Sequence, residues 1–144
     1  MSLRIRQAVA DDYAAGIHLL QQAQLPVAGI REHFENFLVA ENAEGIVGMI
    51  GAELYADTAL LRSAVVRPDH QSQGIGTLLY ESLVTYLRGR DIQRVLLRTN
   101  TAEAYFAKKG FVRIARESVS GPVTQSVEFS GACPSHAACM ELCL

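Results

Sequence analysis

The segment that most constrains the fold is residues 65–76, in which an apolar strand passes through a polar loop into an amphipathic helix. Gly74 and Gly76 stand where the loop becomes the helix. Glycine lets the backbone approach a ligand closely, and the unpaired N–H groups of a helix N-terminus favour anions. The segment therefore predicts a phosphate-binding loop, although the same glycines also suit close packing of a helix on a sheet. No Lys-Ser/Thr pair follows at P-loop spacing, and Leu79 stands where a dinucleotide fingerprint has its third glycine.

The apolar pattern around this segment predicts a mixed α/β (α+β) protein, with a meander of strands first and strands separated by helices later. In chain order, the predicted elements are a strand over 3–7, a helix over 13–24 capped by Asp11 and Asp12, a short helix over 30–36, strands over 37–41, 46–54 and 59–66, a helix over 75–89, a strand over 95–98, a helix over 102–109, and strands over 111–115 and 137–142. The helix over 75–89 is predicted to present one apolar face made of Ile75, Leu78, Leu79, Ser82, Leu83 and Tyr86.

Charge and composition narrow the classes of function. The 13 Lys and Arg residues and 15 Asp and Glu residues give a net charge of −2, which provides no basic field for a nucleic acid. Uncharged stretches such as 45–52 are far shorter than the roughly 20 residues that span a bilayer, and the N-terminus lacks the apolar run of a signal peptide. We therefore expect a single domain over residues 1–144, located in the cytoplasm, with no nucleic-acid or membrane partner.

Cysteine and histidine residues give no strong indication of a metal site. Cys133, Cys139 and Cys143 are expected to be free thiols that fill a terminal strand, and a soft-ligand site for a thiophilic metal or metalloid is the alternative. Three histidines lack metal-ligand spacing and are interpreted as surface or capping residues: His18, His33 and His70.

Two blocks of sequence carry a family resemblance. Gln71-x-x-Gly74-x-Gly76 resembles the Gln/Arg-x-x-Gly-x-Gly/Ala loop of the GNAT superfamily of acetyl-CoA-dependent N-acetyltransferases, and residues 101–111 are similar to that family's later helix ending in Gly-Phe. The resemblance implies the GNAT fold, a mixed and mostly antiparallel sheet flanked by helices. It also implies a V-shaped splay between the strands that end near Val66 and Arg98.

The same resemblance implies acetyl-CoA as the cosubstrate. Its pyrophosphate would lie on the main-chain amides of residues 71–77, and its pantetheine arm would pair with the free edge of residues 64–66. Either Thr99 or Asn100 would provide a side-chain contact. The expected cofactor residues are Ala64, Val65, Val66, Gln71, Ser72, Gln73, Gly74, Ile75, Gly76, Thr77, Thr99, Asn100, Tyr105 and Phe106.

Acetylation of an amine requires a base, because an ammonium must lose a proton before its nitrogen attacks a thioester. Glu53 is the candidate, acting directly or through water, and a solvated strand residue is the alternative interpretation. Phe106 occupies the position of the family's frequent acid tyrosine, and Tyr105 lies about 100° further around the helix. Protonation of the thiolate by Tyr105, by water or after direct release therefore stays open.

A narrower resemblance concerns the substrate. Residues 60–63, 101–106, 127–129 and 133–140 resemble the small arsenic-resistance N-acetyltransferases, although His136 departs from the small residue expected there. That resemblance implies a small amine acceptor with an amino-acid-like frame, such as an organoarsenical or a phosphinate toxin. Arg62, together with Ser63, is the expected substrate contact because a guanidinium can hold an oxyanion at two points, and a surface salt bridge is the alternative.

Two other functions remain compatible with the sequence: acetylation of a protein N-terminus or lysine, and non-catalytic sensing of acyl-CoA. An exposed edge strand in the C-terminal segment would also favour a homodimer.

Overall fold

The computed structural model describes residues 3–129 and 137–144. The strands of this part of the chain are β1 Arg4–Gln7, β2 Phe37–Asn42, β3 Gly45–Tyr55, β4 Thr58–Val66, β5 Arg94–Thr99, β6 Val112–Ile114 and β7 Ala138–Cys143. The helices are α1 Tyr13–Gln22, α2 Ile75–Gly89 and α3 Glu103–Lys108, with short 3-10 segments at Ala10–Asp12, Arg31–Asn36, Pro68–His70, Arg116–Ser118 and Pro122–Gln125.

The strands form one sheet in the order β1-β2-β3-β4-β5-β7-β6. Every neighbouring pair is antiparallel except β4 and β5, which are parallel. The predicted mixed, mostly antiparallel sheet is therefore confirmed. The expectation of a C-terminal edge strand is wrong for β7, which lies between β5 and β6. In the part of the chain that the structure describes, β1 and β6 are the edges.

The predicted splay is also confirmed. β4 and β5 pair only at residues 58–60 and 94–96, whereas β5 pairs with β7 from Arg94 to Thr99. A β-bulge in β4 accompanies the separation: Arg62 is opposite Gly51 and Val65 is opposite Met49, so that two residues oppose one. Ser63, inside the bulge, has a φ of 62°. Bulges bend a strand and increase its twist, and this one lies where β4 leaves β5.

Helices cover both faces of the sheet. α2 buries Leu79, Leu83 and Leu87 in a core shared with the sheet and with Phe106 of α3. α1 and the Arg31–Asn36 segment enclose a second core on the other face. The predicted apolar face of α2 needs correction, because Leu78 is 46% exposed and the buried seam follows residues 75, 79, 83 and 87. Among the helices described, none is both long enough and apolar enough to cross a bilayer.

Local differences from the predicted elements have simple causes. The predicted helix over 30–36 is a 3-10 segment, Arg31–Asn36. Asp12 does not cap α1 with its side chain, because its carboxylate accepts the Val9 N–H at 2.8 Å and is paired with Arg6. Other element boundaries differ from those predicted by up to two residues.

Packing between β2 and β3 leaves no room for a side chain at Gly51. A Cβ there would lie 2.4 Å from ring carbons of the fully buried Phe37. We therefore expect Gly51→Ala to lower the free energy of unfolding by about 1–3 kcal/mol, as overpacking of a core typically does. Gly89→Ala is the matched control, since its Cβ would meet nothing within 4 Å. Urea denaturation that finds the two variants equally stable would contradict this account of the interface.

Candidate active site

A cleft of about 1030 Å³ lies where β4 and β5 separate. β4, β5 and the start of α2 contribute to its walls, together with the loops that precede α2 and α3. Each expected cofactor residue lines it except Gln73, and Arg62 and Ser63 line it as well. The glycine loop predicted from the sequence and the splay implied by the family resemblance therefore border a single cavity.

The loop before α2 has the geometry of an anion site. Gly74, at φ +83°, precedes the first residue of α2, and the Leu78 N–H donates to its carbonyl at 3.0 Å. A Cβ on Gly74 would meet nothing within 4 Å, so open space adjoins the backbone there. The first N–H groups of a helix lack intrahelical acceptors, and they carry the positive end of the helix dipole. A phosphate group fits this combination of space and donors.

His70 anchors this loop to the turn between β2 and β3. Its ring is buried, with Nδ1 2.9 Å from Asp69 Oδ1 and Nε2 3.3 Å from Glu44 Oε2. Asn42 Nδ2 also lies 3.3 Å from Nε2, and Arg67 pairs with Asp69 at 2.7 Å. The interpretation of His70 as a surface residue, one of the two roles expected, is therefore wrong: its ring is buried and contacts the end of β2 and the turn that follows.

On the opposite wall of the cleft, the polar side chains near α3 have different hydrogen-bond partners. Thr99 Oγ1 accepts the Ala102 N–H at 2.9 Å, so it caps the start of α3, whereas Asn100 is exposed beside the cleft. Tyr105 Oη lies 3.2 Å from Thr77 Oγ1 in the first turn of α2. Phe106 borders the cleft, but its ring packs edge-on against Phe111 with the centroids 5.5 Å apart.

Arg62 organises the other end of the cleft. Its guanidinium donates to Glu53 Oε2 at 2.7 Å and to the Pro26 carbonyl at 3.2 Å, and its Nε lies 3.5 Å from Glu128 Oε2. The side chains of Arg62 and Glu53 are only 0% and 1% exposed. Both alternative interpretations, a solvated Glu53 and a surface salt bridge at Arg62, are therefore wrong.

Glu53 is held as a carboxylate. Burial raises its pKa, but hydrogen bonds from Tyr55, Ser126 and Arg62 and the positive charge of Arg62 outweigh that effect, so the pKa is lowered. His33 Nε2 lies 3.8 Å from Glu53 Oε1, so His33 belongs to this cluster rather than to the open surface. Within the described residues, Glu53 is not part of the cleft wall. Of the two modes of action expected for Glu53, direct or through water, this geometry does not provide direct contact with a molecule in the cleft.

Sequence reasoning missed two charged residues of the cleft, Glu128 and Arg98. Both are buried and both line the cavity. Arg98 donates to the carbonyl of Glu128 at 3.0 Å and to that of Ala137 at 3.1 Å, which joins β5 to the segment after Pro122–Gln125. A charged residue enclosed by apolar neighbours, as in Val127-Glu128-Phe129, was the available signal.

The thiols differ in environment. Cys139 is buried, and desolvation raises its pKa, which suits the expected role of an apolar filler. Cys143 is exposed, and Cys133 and His136 lie outside the described residues. Within the described ranges, no group of three His, Cys, Asp or Glu side chains is placed to hold a metal ion.

Comparison with known proteins adds three findings. A family model described as "Acetyltransferase (GNAT) domain" matches residues 33–113. An uncharacterized N-acetyltransferase, CT2212, of Chlorobaculum tepidum is 25% identical over 137 residues, which cover 94% of this chain and 84% of that protein. Two solved structures share the fold. The first is Rv2747 of Mycobacterium tuberculosis in complex with CoA, with a TM-score of 0.82 at 23% identity. The match covers 98% of this chain and 99% of Rv2747.

The second structure is N-acetylglutamate synthase of Neisseria gonorrhoeae, in complex with coenzyme A and N-acetyl-glutamate. Its TM-score is 0.83 at 20% identity, and all of this chain is covered. This chain spans about a third of that enzyme, 35% of its length.

Replacement of Arg62, the cation of the buried ion pair, should destabilise the protein. Arg62→Met keeps an apolar stem but leaves Glu53 without its ion pair, so we expect the free energy of unfolding to fall by about 3–5 kcal/mol. The double variant Glu53→Gln/Arg62→Met should recover most of that loss, because no uncompensated charge stays buried. Urea denaturation measures both.

Arg113→Met is the control for this measurement. Arg113 pairs with Glu103 at 3.3 Å, and both side chains are largely exposed. Loss of an exposed pair should cost under about 1 kcal/mol. An Arg62→Met variant no less stable than this control would show that the buried pair is not an electrostatic anchor.

Proposed function

Since the chain belongs to the GNAT acetyltransferase family, we propose that it moves the acetyl group of acetyl-CoA to the primary amine of a small, amino-acid-like molecule. Family membership makes the chain an acyltransferase. The choice of amine acceptor is our inference from the charged residues at one end of the cleft.

The cavity shared by the strand splay and the glycine loop is the observation that carries the proposal. The residues present fit acetyl-CoA: the amides at the start of α2 suit its pyrophosphate, and residues 64–66 leave a strand edge for its pantetheine amides. When bound, acetyl-CoA supplies the acyl thioester. We assign Asn100 rather than Thr99 to the side-chain contact, because Thr99 already caps α3. Tyr105 belongs to the cofactor wall, since its hydroxyl meets Thr77 of α2.

The acceptor end of the cleft combines charges of both signs. Arg62 and Arg98 bring two guanidinium groups there, and Glu128 brings a carboxylate. A zwitterion has the complementary charges, an ammonium and a carboxylate, which favours an amino-acid-like acceptor. N-acetylglutamate synthase, which shares the fold, has an N-acetylated amino acid in its solved complex. Organoarsenical and phosphinate amino acids, which carry a second oxyanion, are the candidate acceptors suggested by the arsenic-resistance resemblance.

Glu53 and Arg62 have revised roles in this proposal. Arg62 is covered and paired with Glu53, so it provides a fixed positive potential rather than an open two-point clasp for the substrate. Glu53 acts through Arg62 and is a positioning residue. Ser63, whose hydroxyl accepts the Arg62 Nε–H at 3.1 Å, holds the same guanidinium from within the bulge of β4.

Substitution of Gly74 tests the cofactor site. Gly74→Asp places a negative charge beside the expected pyrophosphate, so calorimetry should show acetyl-CoA binding weakened by roughly 10²-fold or more, given about 1.4 kcal/mol per tenfold change. Gly74→Asn adds nearly the same volume without the charge, and it should bind more tightly than Gly74→Asp. Equal affinities of the wild type and Gly74→Asp would remove the phosphate-loop assignment.

Release of CoA thiol in the presence of a panel of amines tests the reaction. We expect kcat/KM for an α-amino acid with an arsinate or phosphinate tail to exceed that for an uncharged primary amine by roughly 10²-fold or more, because a site built around charged groups discriminates against analogues that lack them. Preference for a peptide N-terminus or lysine would instead indicate protein acetylation. Binding of acetyl-CoA without thiol release from any amine would indicate a sensor.

A further inference from the structure

We propose that Glu128 is the catalytic base that receives the proton of the acceptor ammonium. This inference rests on the proposed acetylation of an amine and names the group that makes the amine nucleophilic. The sequence pointed to Glu53 for this task, whereas the geometry points to a residue 75 positions further along the chain.

The first argument is access. Within residues 3–129 and 137–144, Glu128 is the one acidic residue among those that line the cleft. Glu53 lies outside the lining residues and is held by Arg62 and Tyr55. A base must reach the proton that it removes, either in hydrogen-bond contact or through one water. His70 also borders the cleft, but it is committed to the loop before α2, between Asp69 and Glu44.

The second argument is rigidity. The carbonyl of Glu128 accepts a hydrogen bond from Arg98 at 3.0 Å, and its N–H donates to Ser126 Oγ at 3.2 Å. The carboxylate lies 3.5 Å from Arg62 Nε. Main chain and side chain are thus fixed from different directions, and the side chain is 5% exposed. A group held in this way meets the positional demands on a base better than one on an open loop.

The third argument is the sign of the charge. Among the described residues, the guanidinium of Arg62 in β4 lies beside the Glu128 carboxylate, Arg98 of β5 donates to the Glu128 carbonyl, and Glu53 of β3 contacts Arg62. Glu53 accepts a hydrogen bond from Arg62 Nη1, so Glu128 and Glu53 share the positive charge of Arg62. A carboxylate at this end of the cleft attracts a substrate ammonium, which brings the proton to be transferred within reach.

The step itself is a proton transfer. An N–H bond of the ammonium breaks, the proton passes to a carboxylate oxygen of Glu128, and the electron pair stays on nitrogen as the lone pair of a neutral amine. The carboxylic acid then returns its proton to solvent, which regenerates the carboxylate.

Three Glu→Gln variants test the assignment. We expect Glu128→Gln to lower kcat/KM for the amine by roughly 10²–10⁴-fold near neutral pH, with the deficit shrinking as the pH rises and free amine becomes abundant. The calorimetric affinity of Glu128→Gln for acetyl-CoA should equal that of the wild type, because the expected pyrophosphate contacts are main-chain amides at the start of α2. Glu53→Gln should mainly alter stability, and Glu117→Gln, at an exposed position on Arg116–Ser118, should leave activity unchanged.

Several outcomes would overturn the proposal. The proposal fails if the wild type is active and the kcat/KM of Glu128→Gln stays within a factor of two of it. It also fails if Glu53→Gln, rather than Glu128→Gln, shows the pH-dependent loss of kcat/KM. If Glu128→Gln does not fold, Glu128→Asp keeps the charge and should retain the wild-type pH profile at a reduced rate, and a lost profile would contradict the role. A wild type that binds acetyl-CoA but acetylates no amine would contradict the proposed function first, and this inference with it.

Discussion

The early end of pairing between β4 and β5 is the constraint on which the rest of the structure depends. A parallel pair that stops after residues 58–60 and 94–96 leaves strand edges that the sheet cannot satisfy by itself. Antiparallel partners, β3 on one side and β7 on the other, hold each half in place while the gap stays open. The gap is therefore a built cavity, because both of its walls are interior strands of one sheet.

Burial of the ion pairs at one end of that gap costs free energy of desolvation. A guanidinium and two carboxylates have been moved out of water, and such groups rarely stabilise a fold more than apolar residues of equal volume would. Arg62 also reaches the Pro26 carbonyl, so the same residue fixes the segment after α1 against β4. These buried charges are therefore better explained by electrostatic preorganisation of the cleft than by a contribution to the stability of the fold.

Prediction from sequence succeeded where the information is local. The start of α2 followed from Gly74 and Gly76, the meander followed from apolar runs and turn residues, and the family blocks implied the mixed sheet and its splay. Prediction failed where tertiary packing decides the environment. Neither the pairing of Glu53 with Arg62 nor the recruitment of Glu128 to the cleft could be inferred, because both depend on strands and loops far apart in the chain meeting around Arg62. His70 was misjudged for the same reason: its partners Asn42 and Glu44 lie at the end of β2 and in the turn that follows it.

The position of β7 has a consequence for the order in which the protein assembles during synthesis. β6 is made before β7, yet in the finished sheet β7 separates it from β5. A nascent chain that has emerged only through residue 114 therefore holds β5 with one flank unpaired and β6 with no strand to join. The meander of β1 to β4 depends on closer partners along the chain and can form earlier, while the second wall of the cleft waits for the residues of β7.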